Sequence, residues 1–473
     1  MDLTNVHKIY FIGIGGIAMS ATAGLAQERG FEVFGSDAAT IYPPAKNILE
    51  DRGIAVFHGY AESQIATADS DLYVVSAGET EENPEVAWLV REGIEFVSFP
   101  ELLYELSKDT LRIVVSGTHG KSSTSGWLGH ALKCIDDSSF MVGAVLRQYE
   151  SNFYSGTGHY IVFEGDEYKS TYADPTPKMH YYHGDVLVLT NLEFDHPDVF
   201  QDLDEIKNEF RQLVAHVPDD GLILYNADNA DLADVVYHET GRSFTFGLHT
   251  EAHMQAVNIL YGDGGARFTV INRLDPVNVR EEVYSIGLPG EINVYNALAV
   301  ITTLRVLGFQ PEVVQKHVES YEGVKRRFEI IQDGDVAVVD DYAHHATAVR
   351  EIIAAARTRF PGRRLWVVFE PHTYSRTKVT LPELAESFDL ADQVLLAHMY
   401  GAREHKNITG ITDEMVLDSI KQHQSHVRLV HDKTEAREIL EQELRSGDVV
   451  VVMAVGSFNR LAYELKERIE SRE

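Results

Sequence analysis

The stretch Arg112–Ser123, RIVVSGTHGKSS, decides the fold. Its apolar half, Arg112 to Ser116, reads as a buried strand, and a glycine-containing turn then leads into a helix. Gly117, Thr118, His119 and Gly120 form the turn, and Lys121, Ser122 and Ser123 open the helix. Glycine lets backbone N–H groups approach a phosphate closely, and the helix N-terminus adds its partial positive charge. In that geometry Lys121 neutralises the outer phosphate oxygens of ATP, and the Ser122 hydroxyl is placed to ligate Mg²⁺. The stretch departs from the strict G-x-x-x-x-G-K-[ST] pattern, because Val115 stands five before Gly120.

Outward from this strand, short apolar runs alternate with helix-like segments along the chain, the signature of α/β units with parallel sheets. Upstream, His7 to Ile14 (HKIYFIGI) is a buried strand, followed by a glycine turn and a helix from about Ala18 to Arg29. Phe31 to Gly35 and Leu72 to Ser76 are further strands. Downstream, Tyr160 to Phe163 and Val186 to Thr190 extend the central sheet, and Ser243 to Ser285 reads as its antiparallel edge. A last unit runs through Val336 to Asp340, Leu365 to Phe369, Val394 to Ala397 and Val449 to Met453. The reading is three consecutive α/β domains over 1–108, 109–328 and 329–473.

Composition narrows the function. Of 473 residues, Lys and Arg number 41 and Asp and Glu 73, a net charge of −32. Such acidity argues against nucleic-acid binding, and no run is long and apolar enough for a membrane helix. No signal-peptide layout precedes the first strand. The single cysteine, Cys134, excludes an internal disulfide and suits a reducing cytoplasm. An anionic substrate must therefore meet local positive charge or backbone N–H groups.

Other segments carry candidate chemistry. Gly13, Gly15, Gly16 and Ser20 lie in GIGGIAMS after the first strand, and acidic Asp37 ends the next one. A diphosphate fits such a helix start, whether from NAD or from a UDP-sugar. Glu164 ends one central strand, and His196 follows another within NLEFDHPD. Together with Ser122 they form a candidate Mg²⁺ set beside the phosphate loop. Arg327, in the triplet Lys325-Arg326-Arg327, is a candidate phosphate clamp, and a solvated basic linker is an equal alternative. His344 in DDYAHH and His372 in EPHTYSRT follow strands of the last unit.

Taken in order, GIGGIAMS, GTHGKSS, EGDEY, NLEFDHPD, PGEINVYNALA (289–299), KRRFE, DDYAHH and EPHTYSRT resemble the Mur ligase family of peptidoglycan biosynthesis. The resemblance implies a Rossmann-like N-terminal domain that binds a UDP-sugar. It also implies a P-loop ATPase central domain and a Rossmann-like C-terminal domain that binds the incoming amine. It assigns Lys121, Glu164, His196 and Arg327 to catalysis, and His344 is a separate candidate for deprotonating the incoming ammonium. Asn293, Asn296 and Asp341 join the phosphate loop on the nucleotide, and His372 and Arg376 face the acceptor. ATP and Mg²⁺ are implied, in a cytoplasmic monomer or homodimer.

Within the family, GIGGIAMS is similar to enzymes acting on UDP-N-acetylmuramate. EPHTYSRTK (370–378) and MYGARE (399–404) look like the L-alanine-adding type. IYPPAKNILE (41–50), FEGDEYKST with DPTPKMHYY (163–182) and VGSFNRL (455–461) look like the recycling type, which adds L-Ala-γ-D-Glu-meso-diaminopimelate. The acceptor-domain marks set the expectation at L-alanine, with the tripeptide as the alternative. Ile292, Ala346 and Thr373 depart from the family pattern. An NAD(P)-dependent oxidoreductase using the first glycine loop is the alternative from another class and leaves GTHGKSS unexplained. A nucleotide-gated binding protein is a third reading and predicts ATP binding without substrate-dependent phosphate release.

Overall fold

The computed structural model describes residues 1–473 except 39, 196, 198–199, 239–241, 263, 403, 405–408 and 472–473. Its strands gather into three sheets. In the first, Lys8–Ile12 lies between Glu32–Asp37 and Leu72–Val75, all parallel, with Ala55–His58 outside Glu32–Asp37. Four residues of the KIYFI strand are buried, as a strand covered on both faces requires. Strand order reverses at this strand, so a crevice opens at its carboxyl end, where the Gly13–Gly16 turn sits. Ala55–His58 escaped sequence reading because three of its four residues are exposed and no apolar period marks it.

The second sheet has ten strands. Its parallel core runs Ser139–Leu146, Tyr160–Glu164, Leu111–Ser116, Val186–Leu189, Leu222–Asn226, Ser243–Gly247. The phosphate-loop strand is therefore central, and the ends of Tyr160–Glu164 and Val186–Leu189 flank its turn. Met254–Gly262, Gly265–Asn272 and Arg280–Ile286 pair antiparallel, as expected for this edge. Ser243–Gly247 instead pairs parallel with Leu222–Asn226, which corrects the start of that region. Trp127, Phe140, Phe246 and Phe268 are buried here with the helix Glu291–Val306, which buries residues on every side. That all-round burial explains why the helix shows no amphipathic stripe.

The third sheet is ordered Glu329–Gln332, Ala337–Asp341, Val449–Met453, Leu365–Phe369, Gln393–Ala397, Val427–Val430. Its last strand in sequence occupies the interior, fully buried. The first two sheets share one apolar cluster. A Cβ added at Gly24 of the helix Ile17–Glu28 would lie 2.4 Å from the Phe153 ring, so these units pack backbone against aromatic ring. Cys134 is exposed on the helix Lys121–Asp136.

Candidate active site

The phosphate loop is held by its neighbours rather than by itself. Gly117 has φ +137°, and a Cβ there would stand 2.2 Å from Thr190 Oγ1. Gly120 has φ +79°, and a Cβ would meet Asn296 Oδ1 at 2.5 Å. Only glycine fits either position without strain. The amides of Thr118 and His119 donate to the carbonyl and side-chain oxygens of Asn191, at 3.1 and 2.8 Å. The helix Lys121–Asp136 has no side-chain N-cap and no acidic residue in its first turn. Its first N–H groups are thus open to an anion.

Lys121 Nζ donates to Gly117 O, to Thr118 O at 3.2 Å and to Glu167 Oε1 at 2.9 Å. Burial disfavours the ammonium, but Glu167, with Glu164 and Asp166 nearby, outweighs this and holds Lys121 above its ordinary value. Ser122 Oγ donates to Glu164 Oε1 at 2.8 Å, and Gly143 N donates to Glu164 Oε2 at 2.7 Å. A hydroxyl and a carboxylate converging beside a helix N-terminus are hard oxygen donors of the kind Mg²⁺ takes. His196, the other candidate ligand, lies outside the described residues.

Asn293 and Asn296 are buried behind the loop. Asn293 Nδ2 donates to Pro289 O at 2.8 Å, and Asn296 Oδ1 accepts from Thr124 Oγ1 at 3.2 Å. Both line the cleft, as does Ile292. Asp341 is buried, and its two oxygens accept the amides of Phe328 and Ala343, each at 2.6 Å. It thereby pins the basic triplet to the third sheet. Arg326 is consumed structurally, donating to Ala454 O at 2.5 Å and Val455 O at 3.1 Å. Arg327 stacks over Tyr342 at 4.7 Å, donates only to the Arg326 carbonyl among the described residues, and lines the cleft.

In the third unit, His344 Nδ1 lies 2.8 Å from the Tyr342 carbonyl. A carbonyl only accepts, so Nδ1 carries the proton and Nε2 presents the lone pair. Burial, then the Arg376 charge, drives this imidazole well below its ordinary value, so it is neutral. The His372 ring is 5.1 Å from it. Arg376 is buried and bonded to Asp195 Oδ1 at 2.6 Å and to His372 Nδ1 at 2.9 Å. Thr373 is buried beside it.

In the first unit, Gly15 N donates to Asp37 Oδ2 at 2.8 Å, so the acidic residue reaches back into the glycine turn. Gly13 is buried and Gly16 exposed as the helix N-cap. Ser20 is fully buried with its hydroxyl on Ile17 O at 3.1 Å. The structure therefore brings the loop, Glu164, Arg327, Asp341, His344 and His372 around one cavity of about 1080 Å³, while Ile17 and Asn47 reach it from the first unit. Gly13, Gly15, Gly16, Ser20 and Arg376 are not among the residues that line it. Sequence reading missed Glu167 as the partner of Lys121. It also missed Glu193, which accepts from Thr347 Oγ1 of the third unit at 2.9 Å. Both lie inside motifs already singled out, but only topology shows whom they face.

Family models match in three segments: "Mur ligase family, catalytic domain" over 8–110, "Mur ligase middle domain" over 115–304 and "Mur ligase, glutamate ligase domain" over 326–456. A UDP-N-acetylmuramate–L-alanine ligase of Sulfurihydrogenibium sp. is 31% identical over 99% of both chains. One of Acetivibrio thermocellus is 34% identical over 96% of this chain and 95% of its own. The UDP-N-acetylmuramate–alanine ligase structure from Thermotoga maritima superposes with TM-score 0.81, covering 98% and 100% of the chains at 23% identity, a likeness of fold. A murein peptide ligase from Psychrobacter arcticus superposes with TM-score 0.69 at 28% identity over 98% of each chain.

Proposed function

This chain belongs to the Mur ligase family, and from that premise we propose that its cleft joins L-alanine to the lactyl carboxylate of UDP-N-acetylmuramate, driven by ATP. The observation that carries the reading is the open helix N-terminus at Lys121, set in one cavity with groups from all three units.

The ATP phosphates lie along the N–H groups of Lys121, Ser122 and Ser123, with the Lys121 ammonium on the outer oxygens. Ser122 and Glu164 would hold Mg²⁺, which would supply positive charge to the phosphates. The lactyl carboxylate attacks the γ-phosphorus, and the bond to the ADP oxygen breaks, leaving an acyl phosphate. Charge spreads over the transferred phosphoryl oxygens, and Arg327, which lines the cleft with the buried Asp341 carboxylate in its field, is the cation placed to meet it. The amine nitrogen then attacks the acyl carbon, phosphate leaves, and an amide forms. His344, whose Nδ1 is held by the Tyr342 carbonyl so that Nε2 carries the lone pair, lines the cleft as the candidate acceptor of the ammonium proton.

Residues 1–108 hold the UDP-sugar, with Gly15 and Gly16 at the diphosphate. Residues 109–328 hold ATP, with Asn293 and Asn296, joined by Asp341 of the third unit, shaping the nucleotide side. Residues 329–473 hold the acceptor, with His372 nearest the chemistry. Among the described residues no helix is long and apolar enough to cross a membrane, which suits an enzyme of cytoplasmic precursors. Phosphate release from ATP is measured with UDP-N-acetylmuramate and either L-alanine or the tripeptide L-Ala-γ-D-Glu-meso-diaminopimelate. Release with L-alanine is expected. Release with the tripeptide alone assigns the recycling reaction instead, and silence with both overturns the ligase reading.

A further inference from the structure

Three side chains from separate segments meet where the phosphate loop touches the third unit. His119 comes from the loop, Glu193 from the turn after Val186–Leu189, and His345 from the N-cap of the helix Ala346–Arg359. One ligating atom from each lies within 4.8 Å of the other two. His119 Nε2 faces Glu193 Oε1 in a short contact, and the two imidazoles stand 4.9 Å apart. Thr347 Oγ1, at 2.9 Å from Glu193 Oε2, aims the carboxylate from behind.

The second observation is His345 itself. It is only 5% exposed, and neither ring nitrogen has a hydrogen-bond partner. Leaving a buried polar atom unpaired forfeits its hydration with nothing in return. A histidine serving only the core would be expected to have found a carbonyl or hydroxyl. A lone pair aimed at a second imidazole and a carboxylate asks for a cation instead.

We propose that His119, Glu193 and His345 bind a divalent transition-metal ion of the zinc class, at a site separate from the Ser122–Glu164 pair. Two imidazoles and one carboxylate, with a fourth position left to water, suit a borderline ion bound at about 2.0–2.2 Å. Mg²⁺ prefers oxygen ligands and near-octahedral geometry, so millimolar Mg²⁺ does not compete effectively here. Two ligands belong to the ATP-binding unit and one to the acceptor unit, so the ion ties the phosphate loop to the third unit. The site stands on these residues alone and does not depend on which acceptor is used.

The test uses full-length protein stripped with a chelator and held in excess magnesium chloride. Zinc chloride is titrated by calorimetry, and cobalt chloride by visible absorption. The expected result is one saturable equivalent, four-coordinate cobalt bands and a raised melting temperature. Thr347→Val, which removes only the group behind the carboxylate, weakens binding about tenfold. Glu193→Gln and His345→Ala weaken it further, and Glu193→Gln serves where the alanine variant fails to fold. His398→Ala removes an exposed histidine beside Asp413 and His431 and leaves affinity unchanged. The proposal is overturned by an absence of saturable binding in magnesium. It is equally overturned by wild-type affinity in folded Glu193→Gln or His345→Ala, or by loss confined to His398→Ala.

Discussion

At the scale of single residues, Lys121 and Glu167 make opposite demands. Their side chains are 12% and 6% exposed and 2.9 Å apart. Removing one partner strands the other charge in a dry site, which costs about 3–5 kcal/mol. Lys121→Ala is therefore expected to lose both stability and phosphate release. Lys121→Ala with Glu167→Gln should recover most of the stability in urea titrations and none of the activity. Recovery of both would mean that the lysine serves the fold and not the phosphates. Asp340 offers a separate prediction through pH. Burial, against the pull of Arg326, pushes its carboxyl from 3.8 up to about 7, and its Oδ1 has no partner. The folded carboxyl keeps its proton between those values while the unfolded one has lost it. Its contribution to stability is then complete below the unfolded value and is lost as pH rises through about 7. Between pH 5 and pH 8 this group alone should withdraw roughly 3 kcal/mol. Asp340→Asn is expected to flatten that decline, and parallel pH profiles for the two proteins would refute it.

At the scale of elements, the strand, turn and helix of RIVVSGTHGKSS were legible because their cause is local. Apolar residues, two glycines and a helix start with no competing acid specify an anion-binding turn with no knowledge of the rest. What supports the turn was not legible. Asn296 lies 172 residues from Thr124 and still sets the space around Gly120. Ser20 read as a diphosphate ligand from its place in GIGGIAMS, yet helical geometry turns its hydroxyl back onto Ile17 O. Motif position carries no information on which way a side chain faces. Gly120→Ala tests the support. Its φ of +79° and the 2.5 Å approach to Asn296 mean that the turn must shift. Stability should fall by only about 1–2 kcal/mol. Phosphate release should fall far more, because the amides that follow are displaced. An active Gly120→Ala would show that the loop tolerates a shape other than this one.

At the scale of the whole molecule, the ATP-binding and acceptor units are joined by polar contacts that bury charge. Arg376 and Asp195 are 181 residues apart in sequence, 3% and 6% exposed, and bonded at 2.6 Å. The family resemblance puts Arg376 on the acceptor side, and its two partners, Asp195 and His372, both line the cleft. Its bonds to them also make it a brace between the turn after Val186–Leu189 and the helix Tyr374–Val379. An acyl phosphate survives only where water is kept out, so a brace that closes the cleft should govern how release is divided between amide and hydrolysis. Asp195→Asn keeps the shape but removes the charge that holds Arg376. The ratio of phosphate released to amide formed is expected to be near unity in the wild type and to rise severalfold in this variant, alongside a lower melting temperature. If the ratio stays at unity while the rate falls, the pair shapes the amine site and does not exclude water. If rate and ratio are both unchanged, closure is carried by other contacts, with Glu193–Thr347 the next pair to break.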